Sequence, residues 1–332
     1  MQPWSKLWLL LWPLALLLAG WSLSQLPFAG IVHSIHSLSG YNWLSWLALN
    51  LLILLLASLR WQALARSLGV ELPLHQLVQV RQAGSAINFL TPGPQFGGEP
   101  LQVLWLHRVF KLPLQQAVLV LGLDRFCETT INMLTLLTLV LLLGFTSFAT
   151  QNWLHVALLL LASLAAIVAA ATLILMQPRW LTARFRSIAT RFHLHPQQSR
   201  IEHHWQHGGD ALRQAFRHGQ RLLWRALLLS LLLWAALMSE LVLLLHLLEL
   251  SLSPNAFILM LVSMRLSMLL PLPGGIGPVE AALVWSFRLL HLPATAALGM
   301  IALTRLRDVV VLGFGLACLW RLQRLGKQAS AA

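Results

Sequence analysis

Arg125 and Glu128 stand three residues apart in an otherwise apolar stretch, and Arg305 and Asp308 repeat that spacing later in the chain. On a helix the spacing puts each pair on one face; Asp124, Glu128 and Asn132, at steps of four, extend the first stripe. Arg81, Glu99, Arg108, Arg265, Glu280, Arg288 and Arg307 sit in similarly apolar surroundings. Such groups have two uses. They can lock helices together as internal ion pairs, or line a cavity in which arginines neutralise a substrate phosphate. Glu99 and Glu280 carry the same ambiguity. Each opens a short helix after a Gly/Pro break, where a carboxylate caps free N–H groups and the helix end itself attracts anions.

These residues belong to a repeat. The segment Pro92 to Glu99 returns as Pro273 to Glu280. Arg108, Leu112-Pro113, Arg125 and Glu128 then return in order as Arg288, Leu292-Pro293, Arg305 and Asp308, at a constant offset one position shorter than that of the first segment. Gly93, Gly97 and Gly98 in the first copy, and Gly274, Gly275 and Gly277 in the second, are expected to permit tight turns and close approach. Paired breaks in apolar segments, one in each half, are the strongest sequence pointer to a transport site in a membrane.

The elements that must position them are apolar helices. Hydrophobic residues make up 58% of the chain and charged residues 10%, and the mean hydropathy is +0.73. These values define an integral membrane protein. Six full spans are expected, at about 7–27, 43–65, 114–146, 153–176, 223–249 and 294–320. The first reads as a retained span rather than a cleaved leader. Residues 74–110 and 255–291 each hold two short helices around a break and read as re-entrant hairpins. The fold class expected is therefore an all-α polytopic membrane protein. One integral domain covers 1–332, with repeat one at about 43–146 and repeat two at about 223–321.

Charge sets the expected orientation. Arg60 and Arg66 read as the cytoplasmic flank of the second span, the nine arginines from Arg179 to Arg225 mark a cytoplasmic loop, and Arg321, Arg324 and Lys327 a cytoplasmic tail. Both termini then lie in the cytoplasm. The two hairpins enter from opposite sides, so the repeats are inverted. Residues 177–222 form a basic amphipathic connector, which anchors the loop or draws lipid headgroups. Facing lipid, half of the buried charges would cost on the order of 15 kcal/mol, more than a domain's usual stability. They must face each other, a cavity or an interface.

Several classes are set aside. The net charge of +13 follows from topology and not from nucleic-acid binding. No nucleotide-binding loop or dinucleotide fingerprint occurs, so no cofactor is expected. His203, His204 and His207 lack an evident third ligand partner or catalytic Glu, so no metal is expected. Cys127 and Cys318 lie in apolar helices and imply no disulfide framework.

The motifs Pro273-Gly274-Gly275-Ile276-Gly277-Pro278-Val279-Glu280-Ala281-Ala282 and Gly97-Gly98-Glu99-Pro100-Leu101, with Asp124-Arg125, resemble the lysylphosphatidylglycerol synthase transmembrane-region, or flippase-like domain, family. The resemblance covers nearly the whole chain. It implies a bacterial inner-membrane protein that moves or handles lipids, in some relatives as a partner of lipid or glycolipid biosynthesis. The aminoacyl-transferase domain of some relatives has no counterpart here, which leaves the substrate open. The expectation is a non-enzymatic lipid transporter working by alternating access. The alternative is a lipid-modifying membrane enzyme, or an accessory to one.

Overall fold

The computed structural model describes residues 39–90, 97–146, 151–176, 219–270 and 277–331. The expected span 7–27, Gly93, Gly274, Gly275 and the connector up to residue 218 lie outside them. The described residues form nine helices joined by short turns and links: α1 Gly40–Ser67, α2 Leu74–Leu90, α3 Glu99–Arg108, α4 Leu114–Leu143, α5 Gln151–Met176, α6 Gln220–Leu247, α7 Pro254–Ser267, α8 Pro278–Leu289 and α9 Ala294–Ala331.

Helix boundaries follow local chemistry. The Ser39 and Ser253 hydroxyls accept from the N–H groups of Asn42 and Ala256, capping α1 and α7. Prolines stand in the first turns of α3, α7 and α8, where a missing N–H costs nothing. The α1 and α6 ends close by the same left-handed turn, with Gly69 at φ 74° and Glu249 at φ 55°. Lys111 and His291, at φ 57° and 54°, form the matching turns after α3 and α8.

The two halves have one plan. Gly40 and Gln220, Leu74 and Pro254, and Leu114 and Ala294 begin corresponding helices, and each pair is separated by the same stretch of chain as Arg125 and Arg305. Thus α1 to α4 correspond to α6 to α9.

Among the described residues, four helical segments are long and apolar enough to cross a membrane: Gly40–Ser67, Leu114–Leu143, Trp153–Leu173 and Gln220–Leu247. They expose leucines freely; α5 alone presents Leu154, Leu158, Leu159 and Leu161. A surface of that kind needs lipid or protein against it. The protein is therefore a multi-pass helical membrane protein. The 38-residue α9 falls outside that set of four, its apolar course interrupted by Arg305, Arg307 and Asp308. At about 1.5 Å per residue, α2, α3, α7 and α8 measure about 26, 15, 21 and 18 Å. Each is shorter than the roughly 30 Å hydrocarbon core.

Helices α1 and α6 pack extensively on each other, as do α2 and α9. Leu56, Ala57, Ala63 and Leu64 of α1 share a cluster with Ala226, Leu229, Leu233 and Ala236 of α6. Trp46, near the start of α1, instead joins the cluster that contains Leu241, Leu244 and Leu245 from the end of α6. A third cluster joins α2, α3 and α4 with Cys318, Leu319 and Leu322 of α9.

Candidate functional site

The expected charges gather into two networks, one per repeat. In the first, Asp124 is fully buried on α4. Arg60 Nε reaches its Oδ1 at 3.0 Å and Arg81 Nη1 its Oδ2 at 3.0 Å. One turn on, Glu128 Oε2 accepts from three arginines: Arg60 at 2.9 Å, Arg125 at 3.1 Å and Arg81 at 3.3 Å. Arg125 Nε also lies 3.5 Å from Glu99 Oε1 at the start of α3. Asn88 of α2 donates to that oxygen at 3.2 Å and accepts from the Gly98 N–H. Three arginines thus meet three carboxylates across α1, α2, α3 and α4.

The second network runs the same scheme with different partners. Arg305 Nε donates to Glu280 Oε1 at 2.6 Å and its Nη1 to Asp308 Oδ2 at 2.8 Å. Arg307 Nη1 reaches both oxygens of Glu240 at 3.0 Å and its Nη2 reaches Asp308 at 3.2 Å. Glu280 Oε2 accepts from the Gly277 N–H at 2.8 Å, capping α8. The capping and ion-pair uses of this glutamate therefore coexist. Gly277 itself sits at φ 98°, a conformation that favours glycine. Gly98 is held in the ordinary right-handed region. Its need is space, because a Cβ there would collide with the Gly84 carbonyl.

Two expected roles change. Arg60, expected as a loop-flanking topological residue, is 2% exposed and lies inside the first network. Arg108 and Arg288 join neither network; both are exposed at the C-terminal ends of α3 and α8, where a cation complements the negative helix end. Sequence reading also passed over Glu240, which is 5% exposed. The repeat held the clue: Arg60 and Glu240 are related by the same offset as Arg125 and Arg305, and occupy the same place on α1 and α6. One links α1 to α4 as a cation, the other α6 to α9 as an anion.

A cavity of about 360 Å³ opens beside the first network, within the usual range for small-molecule sites. Arg60, Glu99, Arg125 and Glu128 line its charged side; Thr129 and Asn132 carry the α4 stripe along it. Leu233, Trp234 and Leu237 of α6, with Arg265 of α7 and the following Met268 and Leu269, close the rest. Two buried atoms beside it, Glu99 Oε2 and Arg125 Nε, make no hydrogen bond. An unsatisfied polar group in an apolar setting is costly, and a wet or occupied cavity relieves it. Among the described residues no cluster of His, Cys, Asp and Glu has the makings of a metal site.

The family model described as lysylphosphatidylglycerol synthase TM region matches residues 8–315. The chain belongs to that family. As a member of the lysylphosphatidylglycerol synthase TM region family it also resembles a UPF0104 membrane protein of Methanothermobacter thermautotrophicus, 30% identical over 115 residues. That match takes in 33% of this chain and 32% of the relative, so the chain spans about a third of the length of the curated relative it matches. No solved structure matches the chain.

Proposed function

We propose that this family member is a flippase-like transporter that moves an anionic lipid or lipid-linked precursor between leaflets by alternating access. The observation that carries the reading is the cavity between α4 and α7, with a charge network on one wall and apolar residues around Arg265 on the other. Intramembrane charges facing a cavity are a functional site by default. The family's name, which concerns a lipid synthase, agrees with a lipid cargo. Two further observations support inverted repeats. The α1 C-terminal half shares its cluster with the α6 N-terminal half, and the α1 start with the α6 end. Two equivalent helices packed antiparallel are related by an axis across the membrane normal, which is the symmetry of an inverted pair. Helices too short to cross, on either side of each break, fit two re-entrant hairpins meeting near the midplane.

In this reading the protein sits in the inner membrane with both termini cytoplasmic. Arginines receive the phosphate while acyl tails stay in lipid. We read the carboxylates as electrostatic partners and not as acid–base groups, because Asp124, Glu128, Glu240 and Asp308 each already accept from at least one arginine. A partner enzyme of lipid biosynthesis would then supply or consume the transported lipid.

The test is purified protein in liposomes with a labelled anionic phospholipid. Transbilayer movement should exceed that of empty liposomes and fall in Arg305→Ala and Glu280→Gln. No acceleration, or no effect of either variant, sinks the transporter reading; a changed lipid product in its place would favour the enzyme or accessory role. For orientation, single cysteines at Lys111 and His291, both exposed equivalents, should label from opposite sides, Lys111 from the cytoplasm. Labelling from the same side removes the inverted repeat.

A further inference from the structure

We propose that Arg265, together with Thr129 and Asn132, forms the binding site for a phosphate group carried on a lipid; this rests on the transporter reading and names the group the cavity takes. Six arginines occupy the interior of the two repeats. Arg60, Arg81, Arg125, Arg305 and Arg307 each have a carboxylate within ion-pair distance. Arg265 has none among the described residues. Its guanidinium lies over the Trp234 ring, 5.0 Å from the centroid, and both residues line the cavity. The Glu240 carboxylate is taken: both its oxygens accept from Arg307. The charge of Arg265 is not surplus, since the second network holds Glu240, Glu280 and Asp308 against only Arg305 and Arg307. Its donors are what remain unengaged.

A guanidinium stacked on an indole is held in plane while its N–H fork points elsewhere. That fork matches two oxygens of a phosphate. Across the cavity, Thr129 and Asn132 supply neutral hydrogen-bonding groups on the α4 stripe. Leu233, Leu237, Met268 and Leu269 make the wall around Arg265 apolar, while Glu99 and Glu128 on the charged side stand beside Arg60 and Arg125; the apolar part suits a headgroup whose glycerol and tails stay in hydrocarbon.

The repeat gives an independent argument. Some of the cavity's charges recur in the other half, as Arg125 does in Arg305 and Glu128 in Asp308. Arg265 and the residues grouped with it do not. Arg265, Trp234, Thr129 and Asn132 correspond, at the offset that relates Arg125 to Arg305, to Ser85, Leu54, Val309 and Leu312. This polarity is built once, at one seam only, so the plan of the fold does not require it.

The experiment equilibrates the purified full chain in detergent with phosphatidylglycerol, diacylglycerol or inorganic phosphate and counts retained ligand by native mass spectrometry. Wild-type protein should retain phosphatidylglycerol and not diacylglycerol. Arg265→Ser, which installs the counterpart residue, should weaken retention by about tenfold or more, as expected for loss of charge-assisted hydrogen bonds. Thr129→Val with Asn132→Leu should weaken it less, and Arg66→Ala, at an exposed helix end, should leave it unchanged. Equal retention of diacylglycerol, or Arg265→Ser binding within about twofold of wild type, overturns the proposal. Displacement of the lipid by millimolar inorganic phosphate overturns its assignment to a lipid. If Arg265→Ser does not fold, Arg265→Lys and the Thr129/Asn132 double variant decide, and unchanged binding in both overturns it. The two readings fail separately. Arg265-dependent binding without movement in liposomes removes the transporter and keeps the site; equal movement by wild type and Arg265→Ser removes the site and keeps the transporter.

Discussion

The seam between α2 and α9 and the seam between α7 and α4 join equivalent helices, yet one is shut and the other is the wall of a cavity. At the shut seam Gly315 lies against α2 so closely that a Cβ would stand 2.5 Å from the Gln82 carbonyl oxygen and 2.8 Å from Ala86 Cβ. At the open seam the counterparts of Gly315, Gln82 and Ala86 are Thr135, Val262 and Leu266. Small residues let helix backbones meet in a membrane, and larger ones hold them apart. The difference between the seams is therefore written in side-chain volume. A shared backbone plan has been turned into one close contact and one open cleft.

The largest effect should come from the charge that differs between the repeats. Asp124→Ala leaves Arg60 and Arg81 buried with Glu128 as their one remaining shared carboxylate and should cost about 3 kcal/mol or more. Among the described residues its counterpart, Thr304, bonds only within its own helix, to the Met300 carbonyl, so Thr304→Ala should cost about 1 kcal/mol. Thermal or denaturant unfolding in detergent measures both. Equal losses would mean that the two networks bear on stability alike and that the contrast is superficial.

Next come the seams themselves. Gly315→Thr, which installs the open-seam residue, should overpack the shut seam by about 1–3 kcal/mol. Gly313→Ala, where a Cβ meets nothing within 4 Å, should not destabilise. An unfolding midpoint for Gly315→Thr that matches wild type would show that α2 and α9 separate freely.

The smallest effect concerns the turns that end α1 and α6. Gly69→Ala should lose about 1 kcal/mol, because a Cβ is disfavoured at left-handed φ. Glu249→Gly should gain less than that, since a glycine also loosens the unfolded chain. A loss in Glu249→Gly would show that its side chain makes up for the strain.

Much of the helix layout was legible in advance. The spans expected at 43–65, 114–146 and 223–249 appear as Gly40–Ser67, Leu114–Leu143 and Gln220–Leu247, because long apolar runs and their proline or serine boundaries act locally. The pairs Arg125 with Glu128 and Arg305 with Asp308 were legible for the same reason: helical spacing alone brings them together. Arg60 was misread because a basic residue near the end of an apolar run looks the same whether it flanks the membrane or turns inward. Arg108 and Arg288 were overread because repetition marks a shared position in the fold, which for them is an exposed helix end.

By itself the sequence determined that this chain is a membrane protein of two like halves, with charges that cannot be left in lipid. Both conclusions rest on terms that sum along the chain: apolar length, helical period and the cost of each charge. Only the tertiary structure decided the partners. It gave Asp124 two arginines from two other helices, gave Glu240 to Arg307, and left Arg265 over Trp234 with no carboxylate partner among the described residues. The reason is geometric. Burial forces a charge inward from any helix, but which charge it meets depends on which helix faces come together, and that is a property of the packed bundle.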